Sequence, residues 1–142
     1  MAYYWLNQKG TDGSNYNDEV GEVYHYRGNT PGAQQLTAGD RFVYYRVGQY
    51  ELFGAGEISH IDKRESGNGS GVTTDYFAHI TNYTAFEPPV ILKGIGDSGL
   101  KDEISFLCDR PGLTGVPQHS IHQICEEDFQ LILDSAGVEF ND

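Results

Sequence analysis

The feature that most constrains this chain is a central pair of strand-like runs. Arg41-Phe42-Val43-Tyr44-Tyr45-Arg46-Val47 is dense in β-branched and aromatic residues, and after Gly48-Gln49 a second run extends from Tyr50 to Ile61. Such side chains crowd a helical turn but pack well on a pleated surface. Glycine first in a two-residue connection suits a tight hairpin turn. The pair therefore predicts an antiparallel hairpin. Gly54 and Gly56 in its second arm predict a bulge or a close approach to the backbone, as at a barrel corner. Phe42/Tyr44/Arg46 and Val43/Tyr45/Val47 form two alternating sets, and a one-residue slip in register exchanges their faces. Which set points inward is left open.

Around this hairpin the chain reads as further short strands. Tyr3 to Leu6 and Val23-Tyr24-His25-Tyr26 are strand-like, separated by a loop rich in Gly, Asp, Asn and Ser over Lys9 to Asn17. Gly28 to Gly32 ends the second of them, and Ala33 to Ala38 is expected to form one helical turn before Gly39-Asp40. Arg64 to Gly71 reads as a mobile loop by composition. Asp75 to Tyr83 alternates as a strand, with Tyr76, Ala78 and Ile80 against Phe77, His79 and Thr81. Pro88-Pro89 is expected to break the chain before Val90-Ile91-Leu92. Ile104 to Leu107 is a short strand or a helical turn, and Asp109 to Pro117 is turn material. At the C-terminus Phe129, Ile132, Leu133 and Ala136 follow helical spacing. Acids Glu126, Glu127 and Asp128 favour the positive end of that helix, and Gly137 is placed as its C-cap. The fold class is thus α+β, mainly β: a small barrel with one or two flanking helices, including the C-terminal one.

Length makes one domain spanning residues 1–142 the expectation, since 142 residues is near the commonest domain size. Ten Tyr and seven Phe supply core area that the aliphatics alone do not. No run approaches the ~18–20 apolar residues of a membrane helix, and Met1-Ala2-Tyr3-Tyr4-Trp5 lacks the marks of a signal peptide. Cys108 and Cys125 are too few for a disulfide framework, so free thiols in a reducing cytoplasm are expected. Twenty-one acids against nine bases give a net charge of −12, and only Lys9, Lys63, Lys93 and Lys101 are lysines. An acidic surface of this kind suits a soluble protein, or one adapted to high salt as in a halophilic cytoplasm. It excludes nucleic-acid binding through a broad basic face, because that mode rests on Lys and Arg releasing phosphate counterions.

Catalytic and metal motifs fail when their context is required. Gly94-Ile95-Gly96-Asp97-Ser98-Gly99 has dinucleotide-fingerprint spacing but no room for the helix and βαβ unit that the fingerprint needs. Gly67-Asn68-Gly69-Ser70-Gly71 has Asn68 where a nucleophile elbow needs glycine, and no strand feeds it directly. Cys108, His119, His122 and Cys125 form C-x10-H-x2-H-x2-C, not a familiar zinc spacing. If Ser120 to Ile124 is a strand, His122 and Cys125 point apart, and Cys125 stands where the last helix takes its N-cap. No catalytic constellation, cofactor motif or metal site is expected, and the chain reads as a binding module.

The positive signal is aromatic and polar residues sharing strands: Tyr3-Tyr4-Trp5-Leu6-Asn7, Tyr24-His25-Tyr26-Arg27 and Phe42-Val43-Tyr44-Tyr45-Arg46. Aromatic faces sandwich a planar ring while Asn or Arg reads its edge, and extruded bases are held in that way, at about 1–3 kcal/mol per stacked base. The plain alternative is that tyrosines fill a small barrel with their hydroxyls at its rim.

At these residues the sequence resembles the EVE domains of the PUA-like superfamily, most of all the EVE-like modules beside HNH nucleases in modification-dependent restriction systems. Tyr4-Trp5-Leu6 is similar to the family's first strand, and Gly39-Asp40-Arg41-Phe42-Val43-Tyr44-Tyr45-Arg46 to its Gly-Asp turn and aromatic strand. Phe53-Gly54-Ala55-Gly56-Glu57-Ile58 resembles the next strand, turning on glycines. Tyr76 to Ile80 with Phe86-Glu87-Pro88-Pro89-Val90 resembles a later strand and its exit, and Ser120 to Ile124 with Glu127 to Leu133 the closing strand and helix. Tyr24-His25-Tyr26-Arg27 departs from the tryptophan-containing segment common in the family.

The resemblance implies a PUA-like β-barrel that binds a modified base of the 5-methylcytosine or 5-hydroxymethylcytosine type, flipped from DNA in a restriction or defence context. It also implies a partner or fused nuclease. Trp5, Asn7, Tyr24, Tyr26, Tyr44 and Phe53 are the expected pocket, with Trp5 and Tyr44 as its walls. Arg27 and Arg46 are expected at a phosphate or base edge. A small-molecule or nucleotide-sensing barrel, or an RNA-binding PUA-like module, is the alternative.

Overall fold

The computed structural model describes residues 2–8, 22–27, 35–46, 51–68, 71–92, 104–105 and 121–140. Six strands precede one helix: β1 (Tyr3–Gln8), β2 (Val23–Arg27), β3 (Arg41–Arg46), β4 (Glu51–Asn68), β5 (Gly71–Ile91), β6 (Ile121–Ile124) and α1 (Glu126–Ala136). The domain is therefore mainly β with a C-terminal helix. The strands form one mixed sheet in the order β2-β5-β4-β3-β1-β6. β1 runs parallel to β3, and the other neighbours are antiparallel. Among the described residues no ladder joins β2 to β6, so the sheet is open at both edges.

The open sheet is nonetheless curled. The Tyr24 hydroxyl on edge strand β2 donates to the Asn7 carbonyl of β1 at 2.9 Å, although three strands lie between them. Tyr24 also approaches Tyr44 of β3, their ring centroids 6.3 Å apart. Each face of the sheet carries its own core. On the concave face Tyr4, Leu6, Tyr24, Tyr26, Phe42, Tyr44, Phe53, Ile58 and Ala78 are buried together. On the other face Trp5, Val43, Tyr45, Leu52, Ala55 and Phe86 pack beneath Phe129, Ile132 and Leu133 of α1.

The helix follows its sequence signals. Gly137 adopts a left-handed conformation (φ 72°) and its N–H meets the carbonyls of Asp134 and Leu133, which closes the last turn. Cys125 is the N-cap, without a side-chain capping bond. The buried Asp128 carboxylate accepts the Ser105 backbone N–H at 3.0 Å and its hydroxyl at 2.5 Å. This ties the 104–105 segment, with Ile104 in the core, to the first turn of α1.

Three expectations are corrected. Residues 35–40 contain no helix; Gly39 has φ 91°, and the buried Asp40 carboxylate instead accepts the N–H groups of Ala2 and Thr37, both at 2.9 Å. A carboxylate that gathers backbone donors holds a turn more firmly than one isolated helical turn can. Second, Arg64 to Asn68 and Gly71 are strand rather than loop, while residues 69–70 of the predicted loop lie outside the described residues. β4 and β5 stay paired to Ser66↔Thr73, Gly67↔Val72 and Asn68↔Gly71. Small polar residues contribute little packing, yet they keep every backbone donor and acceptor, and a ladder already in register propagates through them. Third, Pro88-Pro89 does not end the strand. The pairing steps from Gly54↔Ala85 to Leu52↔Val90, so both prolines lie in a bulged stretch where the ladder asks for no N–H. Residues 9–17, 47–50, 93–103 and 106–120, which include the predicted Gly48-Gln49 turn, the glycine-rich 94–99 run, Cys108 and His119, lie outside the described residues.

Candidate functional site

The predicted pocket residues divide between the two faces of the sheet. In the parallel register Leu6 lies opposite Tyr44 and Trp5 opposite Val43. Side chains alternate along a strand, so Trp5 and Tyr44 point to opposite faces, and neither has any exposed surface. The expectation that they wall one pocket is corrected on this geometry. Trp5 packs on Tyr45 (centroids 5.0 Å) beneath α1, and its indole N–H donates to Asn7 Oδ1 at 2.9 Å. The Asn7 side chain thereby serves a buried indole, which needs such a partner.

Tyr24, Tyr26, Tyr44 and Phe53 do come together, on the concave face. A register shift on β4 is responsible for the last of them. Tyr44 pairs with Gly54 while Tyr45 pairs with Leu52, which leaves Phe53 as the extra residue. Without that bulge Phe53 would lie opposite Tyr45, on the helix face. With it, Phe53 stacks on Tyr44, centroids 5.2 Å apart at 3°. The glycines provide room. A Cβ at Gly54 would meet the ring of Tyr83, with Cζ at 2.7 Å, and one at Gly56 would meet Phe42 Cζ at 2.8 Å.

This aromatic interior is packed rather than hollow. Tyr24, Tyr26 and Tyr44 are at most 2% exposed. Burial, with smaller contributions from Tyr76 and Tyr4, pushes the Tyr26 hydroxyl far above its ordinary value. Burial also raises Tyr83, partly offset by the Arg46 guanidinium, and burial with the Asp40 charge raises Tyr4. These phenols stay neutral across the physiological range. The residues thus fill the curl of the sheet, as the plain reading of the tyrosines has it.

One end of the interior opens to solvent at Arg46. Its guanidinium lies 4.1 Å from the Phe53 ring centroid, with Nε on Glu51 Oε1 at 3.0 Å and 37% of the side chain exposed. Phe53 thus has two planar neighbours, the Arg46 guanidinium over its ring and the parallel ring of Tyr44. Tyr83 meets Tyr44 edge-on at 5.7 Å and closes one side. Arg27 ends β2 opposite Asp75; its side chain is not among those described.

Sequence reasoning missed a second feature. A cleft of about 270 Å³ is lined by Arg41, Glu57, Asn82, Tyr83, Thr84, Glu139 and Phe140. Arg41 lies under the Phe140 ring (5.3 Å) and 4.0 Å from Glu57, and the Asn82 amide donates to Glu57 at 3.1 Å. Asn82 has φ 54°, a conformation Asn tolerates, beside the bulge between Ala55 and Glu57. No local motif marks the cleft, because bulges and a C-terminal tail assemble it.

Of the four Cys and His residues weighed as metal ligands, Cys125 is free and exposed, while His122 is half-buried in β6 opposite Trp5. No helix among the described residues is long and apolar enough to cross a membrane. No family model and no curated protein matches the sequence. The fold is similar to the NMR structure of Rpa0253 from Rhodopseudomonas palustris, with a TM-score of 0.64 over 99% of this chain and 97% of that one. At 18% identity the likeness shows a shared fold alone.

Proposed function

We propose that this chain is a non-catalytic recognition module that holds a planar base at the Arg46 end of its concave face, in the manner of a PUA-like reader. The observation that carries the reading is the Arg46–Phe53–Tyr44 cluster. Unstacked bases lie readily on guanidinium planes and aromatic rings. An extruded base lies on the exposed part of the Arg46 guanidinium, and Tyr83 bounds it laterally. The preferred ligand is a modified cytosine flipped from DNA, following the EVE-like resemblance of the strands that build this end. A net charge of −12 makes stacking and a few placed arginines the source of affinity.

Trp5 has no part in this site, so its fluorescence is a poor reporter. The test is fluorescence anisotropy of labelled duplexes carrying 5-methylcytosine, 5-hydroxymethylcytosine or no modification, titrated over a range of salt. One modified duplex should bind at least about tenfold more tightly than the unmodified one, a gap of ~1.4 kcal/mol and within the worth of one stacked base. Equal or absent binding throughout defeats the reading.

The cleft at Arg41, Glu57 and Asn82 favours a second reading, a sensor of a small polar molecule. A ligand that co-purifies with the native chain, detected by native mass spectrometry and released by Glu57→Gln, would support it over base reading.

A further inference from the structure

The outer surface of the β4–β5 arm carries a cluster that no motif announced. β4 and β5 pair as Ile58↔Ile80 and then His60↔His79, so Ser59 is an extra residue in β4. Without that bulge His60 would face Ala78, whose side chain belongs to the buried concave core. The bulge turns His60 outward beside His79, and Asp62, two residues on, follows it to the same face. Bulges characteristically re-aim a side chain in this way.

The result is compact. The two imidazoles stack at 4.2 Å and 10°, and His79 Nε2 lies 2.8 Å from Asp62 Oδ2. One ligand atom from each of His60, Asp62 and His79 lies within 4.8 Å of the others. Ser59 Oγ contacts His60 Nδ1 at 3.1 Å, so that nitrogen has a partner and Nε2 is the one left to coordinate. Such an outer partner is what orients a metal-binding histidine. All three residues are at least partly exposed, so an ion can enter and the side chains are not locked by surrounding packing.

We propose that His60, Asp62 and His79 bind a divalent ion of the zinc class across the β4–β5 arm. Two imidazoles and one carboxylate suit zinc, which takes nitrogen and oxygen ligands at about 2.0–2.2 Å and keeps a fourth position for water when the protein supplies three. The same donors disfavour calcium and magnesium, which want oxygen ligands. The acidic surface adds a favourable field for any cation. The ion clamps two strands that are otherwise held here by their ladder, and it presents an open coordination position on the exposed face.

The test is calorimetric titration of the full chain with zinc chloride, with and without excess magnesium. One class of site at micromolar affinity, indifferent to magnesium, is expected. His60→Ala and His79→Ala should each weaken it by about tenfold or more, since even outer-shell changes cost that much. His25→Ala removes an imidazole from the neighbouring strand β2, and Cys125→Ser removes the exposed thiol; both should leave the affinity unchanged. Zinc should also shift the imidazole resonances of His60 and His79, and circular dichroism should show each variant folded. No zinc binding, or binding that survives both His60→Ala and His79→Ala, overturns the proposal.

Discussion

The ring of Phe53 lies parallel to that of Tyr44, 5.2 Å away, because β4 carries one residue more than β3 at that point. The stack joins the packed concave core to the exposed Arg46. It separates two contributions that substitutions can test.

Phe53→Ala should destabilise the fold by about 3 kcal/mol or more in urea unfolding, the usual cost of removing a buried phenyl ring. Arg46→Ala should cost less, about 0.5–2 kcal/mol, since it removes one cation–π contact and one partly exposed ion pair. Its binding of modified duplex should nevertheless fall by about tenfold, the share of one stacked layer. A large stability loss in Arg46→Ala would mean that the residue is structural.

Gly56→Ala and Gly54→Ala should differ although both glycines face the concave side. The new methyl at position 56 meets Phe42, which is fully buried and has nowhere to move, with Ile80 Cγ2 at 3.1 Å behind it. The overpacking should cost about 1–3 kcal/mol. At position 54 the neighbour is the ring of Tyr83, which is half-buried and can swing outward. That variant should lose less stability in a thermal melt, and the displaced Tyr83 should become more exposed to solvent.

Alkaline pH should unfold the domain through its buried tyrosines. Tyr26, Tyr4 and Tyr83 all have hydroxyls raised above the ordinary value of 10.0. A raised acid stays protonated in the fold while its unfolded counterpart ionises. The stability it contributes is complete below pH 10.0 and declines as pH climbs from there towards the folded values. Tyrosinate absorbance and loss of circular dichroism should therefore rise together above that pH. Arg46→Ala should raise Tyr83 further, since the guanidinium is what opposes its burial.

The elements themselves were largely legible. β1, β2, β3, the start of β4, the middle of β5, β6 and α1 all fall where aromatic, β-branched or helical spacing indicates them. The errors share a cause. By residue type Ser66 to Asn68 and Pro88-Pro89 read as breaks, whereas strand membership there depends on whether the neighbouring strand offers a ladder. The pocket was harder. Trp5 and Tyr44 are both aromatic and both in central strands, but their relative face depends on the register between β1 and β3.

By itself the chain thus determined which segments extend, where the helix starts and stops, and that Gly54 and Gly56 must admit a close neighbour. These follow from backbone sterics and side-chain shape, which act within a few residues. Only the tertiary structure decided which face each aromatic takes, that Phe53 joins Tyr44 rather than Tyr45, and that His60 meets His79. Side chains alternate with period two, so a single bulged residue reverses every assignment beyond it. That residue is placed by pairing between strands rather than by its own identity.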